Sequence, residues 1–543
     1  MRRIVLLACL AVAALLAKAP VHAGEKTTAV PALVVRVQSL NALMQNLGLV
    51  VKLVGQEEVA NQIEGLVKSK IGVKGLEGVD PARAFGAYVR FGKAIDEING
   101  AMLVPITDQK TFLKLLDTLD VQITKDKDDI YTYKTNKNVD VYFRFAHKYL
   151  FITSLSTESI RDKNLLDPAK ALAIGGNATI SLVAQVDQVP KEVKLIALAQ
   201  LEDAIIAAQK QTGANETKAQ EQFRIALLRD INRHGNSLIR ETKEIRFDLD
   251  IDEKTKELAV QAQIFPVPGS EFAKTIDALG KLKSPLAGLA GNNAAFHGAI
   301  HLAFPETLTK SLGAVIDEAV EKSLDGIQNP LKKKQADTLF KAILPSAKAG
   351  EYQLVALAIG PKKNRYTFLG AMKLTDGEKL GNALHDLLKE AINDVPPEQR
   401  DKFKLDIDKV GTISIHRLEV PKTPALAKVI DDVVGDDQLH FAFRNDAVFF
   451  ALGEDALATI KASLVNKTPE TSVPMLFDFD IARMASLIAQ TPEQRKLART
   501  LFPAGETGRI RASVNGGASL TARLQMRLSV LEFLAKVKDA NGE

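Results

Sequence analysis

One stretch, VYFRFAHKYLFITS at 141–154, constrains the fold of the 543-residue chain more than any other. It alternates in polarity, turns at Ala146-His147-Lys148 and alternates again, the pattern of two short strands joined by a tight turn. Ser154 is placed to open a helical turn behind it. A closely similar stretch, LHFAFRNDAVFFAL, returns at 439–452, so that Phe143, Phe145 and Phe151 correspond to Phe441, Phe443 and Phe449. Tight turns join antiparallel strands, whereas parallel pairing needs long crossovers. The chain therefore predicts an α+β fold: antiparallel sheets with helices packed on one face, in two tandem halves of similar order.

The recurrence extends beyond the hairpin. Ile300, Leu302, Leu312, Gly313 and Val315 fall 265 residues after Val35, Val37, Leu47, Gly48 and Val50. Gly360, Thr375 and Asp376 fall 268 after Gly92, Thr107 and Asp108, and the hairpin itself recurs at 298. Met475, Phe477, Phe479 and Asp480 fall 293 after Leu182, Ala184, Val186 and Asp187, and Leu520 falls 262 after Leu258. An offset that grows and then shrinks places one insertion near 396–430 and another at 216–242. KLKSPLAGLAGNN at 281–293 is the Gly-, Pro- and Asn-rich boundary. The expected organisation is a signal peptide at 1–23, a first half at 24–283, a linker at 284–293 and a second half at 294–543.

Local patterns fill in the halves. Residues 33–37 read as a strand, and Leu40, Leu43, Leu47, Val50 and Val51 follow at helical spacing. Val59, Ile63 and Leu66 prolong that stripe past Gly55. Gly72, Gly75 and Gly78 mark a loop that no Gly-Lys-Ser/Thr closes, so it is not a phosphate loop. Strands are expected at 87–91, 101–106, 121–123, 130–133 and 178–186, and a helix capped by Thr107 or Asp108 carries Phe112, Leu115, Leu116 and Leu119. Two amphipathic helices, 190–211 and 216–242, flank Gly213-Ala214-Asn215. A second hairpin spans 245–264, and a helix at 270–279 ends the first half.

Arg2 and Arg3 precede an apolar run at 4–17 that is short for a bilayer span, and Val21-His22-Ala23 supplies small residues at the cleavage positions. The expectation is a cleaved secretory signal, a mature start at Gly24 and no transmembrane segment after cleavage, in an exported protein. Cys9, the single cysteine, lies inside that run, which leaves the mature chain without disulfides, a thiol nucleophile or a thiolate metal site. Removing Arg2, Arg3 and Lys18 lowers the 71 basic residues to 68 against 66 acidic ones, a balance of +2. That is too near neutral to argue for nucleic acid as a partner. Lys332-Lys333-Lys334 reads as a solvated helix face.

The familiar reactive constellations are mostly missing from this sequence. Asp248, Asp250 and Asp252 alternate as in a calcium loop, but Glu253 replaces the turn glycine and Ala259 stands where the bidentate Glu belongs. They read as a strand with one acidic, solvated face, as does 404–408. His297 and His301 have helical metal-ligand spacing in a strand context with no nearby acid. His147, His234, His385, His416 and His440 are scattered. No Gly-x-Ser-x-Gly elbow, His-Glu-x-x-His helix, dinucleotide fingerprint or Walker loop is present. No metal, cofactor or catalytic residue is assigned on this basis. The chain has no Trp and only seven Tyr, which argues against sugar- or base-stacking. The hairpin phenylalanines read first as core and second as the lining of an apolar cavity.

ALVVRVQSLNAL at 32–43, MLVPITD at 102–108 and KYLFITS at 148–154, behind a signal peptide, resemble a family of large exported proteins of unknown function common in planctomycete bacteria. The resemblance implies a cell-envelope location and carries no active-site residues. The leading expectation is a non-enzymatic binding or structural protein for a partner or apolar ligand. The rival is an extracytoplasmic hydrolase using dispersed carboxylates.

Overall fold

The alternating runs become antiparallel ladders in a computed structural model that describes residues 30–53, 78–92, 98–118, 120–135, 139–211, 213, 215–289, 294–394, 396–465, 470–489, 491–503 and 508–540. The signal segment 1–23, the stripe at Val59, Ile63 and Leu66, the residues Gly55, Gly72, Gly75 and Leu119, and the linker's 290–293 lie outside the described residues. The chain divides into two units. One comprises 1–200, 237–273 and 521–543; the other comprises 201–236 and 274–520.

In the first unit the strands are β1 (Leu33–Val37), β2 (Phe85–Phe91), β3 (Ile98–Pro105), β4 (Ile123–Lys125), β5 (Tyr131–Lys134), β6 (Asp140–Ala146), β7 (Tyr149–Thr153), β8 (Ile180–Gln185), β9 (Thr242–Asp252) and β10 (Glu257–Pro266). They pair antiparallel in the order 4-5-6-7-3-2-1-8-9-10. Helices α1 (Leu40–Leu53) and α2 (Gln109–Thr118) follow β1 and β3. Asp108 caps α2 by accepting from the Thr111 N–H. The expected helix pair forms as α3 (Lys191–Lys210) and α4 (Lys218–Glu241), although α3 leaves Leu195, Ile196 and Ile206 exposed, and α5 (Glu271–Gly280) follows the β9–β10 hairpin.

The second unit contains the short β11 (Lys283–Ser284) and then β12 (Ala294–Ala303), β13 (Glu351–Lys362), β14 (Arg365–Lys373), β15 (Phe403–Val410), β16 (Ile413–Glu419), β17 (Gln438–Arg444), β18 (Ala447–Leu452), β19 (Glu470–Thr471), β20 (Met475–Asp480) and β21 (Arg509–Asn515). β11 pairs with β19; the others run antiparallel in the order 15-16-17-18-14-13-12-20-21. Its described helices of six or more residues that lie wholly after β11 are α6 (Glu306–Asp325), α7 (Pro330–Ala347), α8 (Gly377–Asp394), α9 (Pro424–Val429) running into a π-turn at Ile430–Val434, α10 (Ala456–Val465), α11 (Ile481–Ile488) and α12 (Pro492–Leu501). Finally β22 (Leu520–Arg527) and α13 (Leu528–Ala540) return, from Thr521 onward, to the first unit. There α13 packs on α1, and the Leu528 N–H donates to the Lys256 carbonyl at 2.8 Å. Contacts therefore do not follow the serial division into 24–283 and 294–543, because the last segment completes a sheet begun by β9 and β10.

The aromatic hairpins are built alike. Phe143 faces Ile152 and Arg144 faces Phe151; Phe441 faces Phe450 and Ala442 faces Phe449, in the same register. The Ile106 N–H donates to Lys148 O and the Leu374 N–H to Asp446 O at the corresponding place. The first turn carries His147 and Lys148 at positive φ, as a two-residue hairpin turn requires. Matching ladder to ladder also moves two alignments by two residues. Val35 falls on Gly298 instead of Ile300, through the pairs Val35–Ala87 and Gly298–Ala356. Leu182 falls on Phe477 instead of Met475, through the pairs Val35–Leu182 and Gly298–Phe477. Two residues is one strand period, so each slip keeps every side chain on its face.

Helices on one face were expected; the structure puts packed elements on both. Phe151 is buried with Tyr88, Leu103 and Ile160, whereas Phe143 is buried on the opposite face with Phe112 and Leu116 of α2. In the second unit Phe449 packs with Ile460 and Leu464 of α10, whereas its neighbour Val448 packs with Ala342 of α7 and Leu380 of α8. Successive strand residues point to opposite faces, so runs such as YLF and AVFF with every residue buried, save the exposed Phe450, need cover on both sides. Ser156, and not Ser154, caps the turn behind the first hairpin, accepting from the Glu158 N–H at 3.2 Å.

Candidate functional site

Among the described residues, three concave sites of the second unit stand out. The smallest, about 190 Å³, is lined by His297 and His301 with Gln353, Ser472 and Arg511. Both histidines project from β12 toward it, as strand spacing requires. His301 is committed: one ring nitrogen meets Glu351 Oε1 at 2.9 Å and the other meets Ser472 Oγ at 3.3 Å. Burial works against the Glu351 carboxylate, but hydrogen bonds from Lys373, Gln353 and His301 outweigh it and hold its pKa below the usual range. His297 keeps a buried Nε2 without a partner, and burial lowers its pKa despite the nearby Asp478. Among the described residues no group of three or more His, Cys, Asp or Glu is arranged to hold a metal ion.

A second cavity, about 380 Å³, lies at the β13–β14 turn under Gly360-Pro361 and Tyr366. Its charges are consumed internally: Lys362 pairs with Asp455 at 2.9 Å and Arg365 with Glu454 at 2.6 Å. The two carboxylates lining it, Glu454 and Asp455, are thus both engaged in ion pairs.

The third is an open groove of about 930 Å³ with a different character. Its floor is apolar. Val433 of the π-turn and Leu487 of α11 belong to the cluster around Ala358 and Tyr366, and Ala482, Ala485, Ala489, Ala498 and Phe502 extend it. The small side chains of Ala482, Ala485, Ala489 and Ala498 line the trough along α11 and α12. The two helices are secured from the sequence up. Asp480 caps α11 by accepting from the Arg483 N–H at 3.3 Å, and Thr491 and Gln494 form a reciprocal capping box on α12. The Tyr366 hydroxyl donates to the Arg483 carbonyl at 2.6 Å, tying α11 to β14.

The rim is cationic. Lys428, Arg483, Arg495 and Arg499 line the groove against a single acid, Asp432. Arg483 is held by Asp480 at 3.4 Å and by the Gly360 carbonyl at 3.3 Å. Arg495 donates to the Ala489 carbonyl at 3.3 Å, a neutral acceptor that leaves its charge uncompensated. Lys428, Arg495 and Arg499 are exposed, and no carboxylate lies within ion-pair distance of them among the described residues. Nothing in the sequence marked these residues, which come from 361–502 and meet only because α9, α11 and α12 converge on one face.

The acids singled out from sequence do not assemble a catalytic pair. Asp248, Asp250 and Asp252 share one face of β9, but that face is half-buried instead of fully solvated. Asp252 accepts from the Lys254 and Thr255 N–H groups of the turn. Burial, reinforced by Asp252, raises the Asp250 pKa. Asp248 lies in a cross-strand row with Ser181 and Arg36, and none of the three lines a cavity described above. The hairpin phenylalanines are core: Phe143 stacks on Tyr131 at 5.0 Å, and Phe441 lies edge-on to Phe443 at 6.2 Å. Two scattered histidines do meet. His385 bonds Asp406 at 2.9 Å, and His416, whose pKa burial lowers, stands 5.8 Å from His385 between rings.

No family model, curated protein or solved structure matches this chain. Among the described residues no helix is long and apolar enough to cross a membrane.

Proposed function

We propose that this is an exported, non-enzymatic binding protein of the bacterial cell envelope, related to the planctomycete family it resembles, that holds an apolar ligand in the groove between α11 and α12. One observation carries the reading: an apolar floor inside a concave site of about 930 Å³, within the roughly 300–1,000 Å³ range of small-molecule pockets. The rival hydrolase reading needs paired carboxylates in a cleft, one with a raised pKa. Asp250 has the shift but not the cleft.

The two units are proposed to descend from one duplicated design. Their strand orders correspond from 4-5-6-7-3-2-1-8-9 to 15-16-17-18-14-13-12-20-21. The groove then belongs to the part that diverged, because α11 and α12 follow β20 where the long pair α3 and α4 follows β8.

Native mass spectrometry of full-length protein purified gently from its own envelope tests the function. The expected spectrum shows a chain beginning at Gly24 with a retained small apolar molecule that organic extraction removes. A chain that carries nothing, and takes up no apolar molecule after extraction, overturns the binding reading.

A further inference from the structure

We propose that the ligand is an anionic amphiphile: a single hydrocarbon chain on the Val433–Leu487–Phe502 floor, with a carboxylate or phosphate head against Lys428, Arg495 and Arg499. This rests on the binding reading above and goes beyond it by fixing the chemistry of the head.

Two features of the groove combine. Its floor is made of alanine and larger apolar side chains and offers a chain dispersion contact along its length. Its rim brings three cations without an ion pair among the described residues, Lys428, Arg495 and Arg499, beside Arg483, which Asp480 holds, in a protein whose whole sequence is close to charge balance, 71 basic against 66 acidic residues. Elsewhere on this unit Lys333 is matched to Asp325, Lys341 to Asp337, Lys348 to Asp317 and Lys461 to Asp408. Unmatched like charges repel one another, and an anion bound between them removes that cost. Guanidinium groups also present forked donors to a carboxylate or phosphate.

A neutral apolar ligand would use the floor and leave the rim unused. A free inorganic anion would use the rim and leave the floor exposed. An acidic peptide would need acceptors and donors for its backbone, and the lining side chains are cations and hydrocarbon with only Asn364 and Asp432 besides. The amphiphile satisfies both halves of the site.

The test uses full-length protein stripped of endogenous ligand and titrated calorimetrically with palmitate, lysophosphatidate, hexadecanol, hexadecyltrimethylammonium and inorganic phosphate. Expected are binding of palmitate, lysophosphatidate or both at least about tenfold tighter than hexadecanol, weakening as salt rises, with the cationic amphiphile and inorganic phosphate weaker still. Arg495→Gln together with Arg499→Gln should narrow the palmitate-to-hexadecanol ratio by about tenfold. Lys428→Gln, on a different element, should narrow it in the same direction if the double variant fails to fold. Equal binding of palmitate and hexadecanol overturns the anionic head and leaves the apolar-ligand reading standing. Binding of inorganic phosphate as tight as palmitate overturns the amphiphile. An acidic apolar peptide that binds where no amphiphile does overturns it in favour of a protein partner. No binding of any chain removes both proposals.

Discussion

Single residues decide how this fold responds to acid. His416 and His440 are buried in strands, at 6% and 7% exposure, and His297 keeps a buried ring nitrogen without a partner. Burial lowers all three pKa values from the ordinary 6.5. In the unfolded chain each takes up a proton near that ordinary value, while in the folded chain each resists it. The stability they contribute is therefore fully present above about pH 6.5 and is lost as pH falls below it, with a slope of at most about 1.4 kcal/mol per pH unit for each histidine. Urea midpoints should fall between pH 7.5 and pH 5.5, a window above the range in which carboxylates such as Glu351 titrate. His416→Gln should flatten part of the fall. A midpoint that holds or rises on acidification would contradict the assignment. Sequence alone marked His416 and His440 as scattered and His297 as spaced with His301 on a strand, and it could not mark their burial, which depends on strands they do not belong to.

At the level of elements the hairpins carry the contrast between faces. Phe449 is fully buried against α10, whereas its neighbour Phe450 is 40% exposed. Phe449→Ala should cost about 3–5 kcal/mol and Phe450→Ala about 0.5 kcal/mol or less. Equilibrium unfolding of the two variants reads this directly, and similar losses would mean that the hairpin faces are misassigned. Strand and helix identities were legible here because alternation and helical spacing are local: β6, β7, β9, β10, α3 and α4 all fall within a few residues of their expected places. The layering was less legible. A run such as AVFF says only that both faces are apolar, and whether one helix layer or two covers it depends on segments more than sixty residues away in α7 and α8. The groove was not legible at all, because a trough between helices has no pattern in either helix.

Across the whole molecule, the last segment ties the chain back to its beginning. Val530 and Phe533 of α13 are fully buried, Leu528 nearly so, and the helix packs on α1. Burying three such side chains contributes roughly 5–9 kcal/mol, comparable with the entire margin of a domain. A chain ending at Leu520 should therefore lose the protease resistance of 30–200 while keeping that of 294–465. Limited proteolysis read by mass spectrometry would show it, and a first unit that stays resistant would mean that residues 521–543 are dispensable. The serial boundary at 284–293 could not reveal this return, since composition marks where a chain is loose and not where it comes back.

What the sequence determined by itself is what short-range physics controls. Side-chain period sets strand or helix, turn residues set hairpins, and the spacing of apolar residues sets which face is buried. The recurrence of VYFRF…YLFIT as LHFAF…VFFAL was legible for the same reason, and the two hairpins keep one register. Tertiary structure alone decided which histidines are held neutral, that both sheet faces are covered, that the C-terminal helix belongs with α1, and that Lys428, Arg495 and Arg499 face one apolar trough. Each of these depends on residues far apart in the chain, whose proximity is fixed by strand order, and strand order is not encoded in any local pattern.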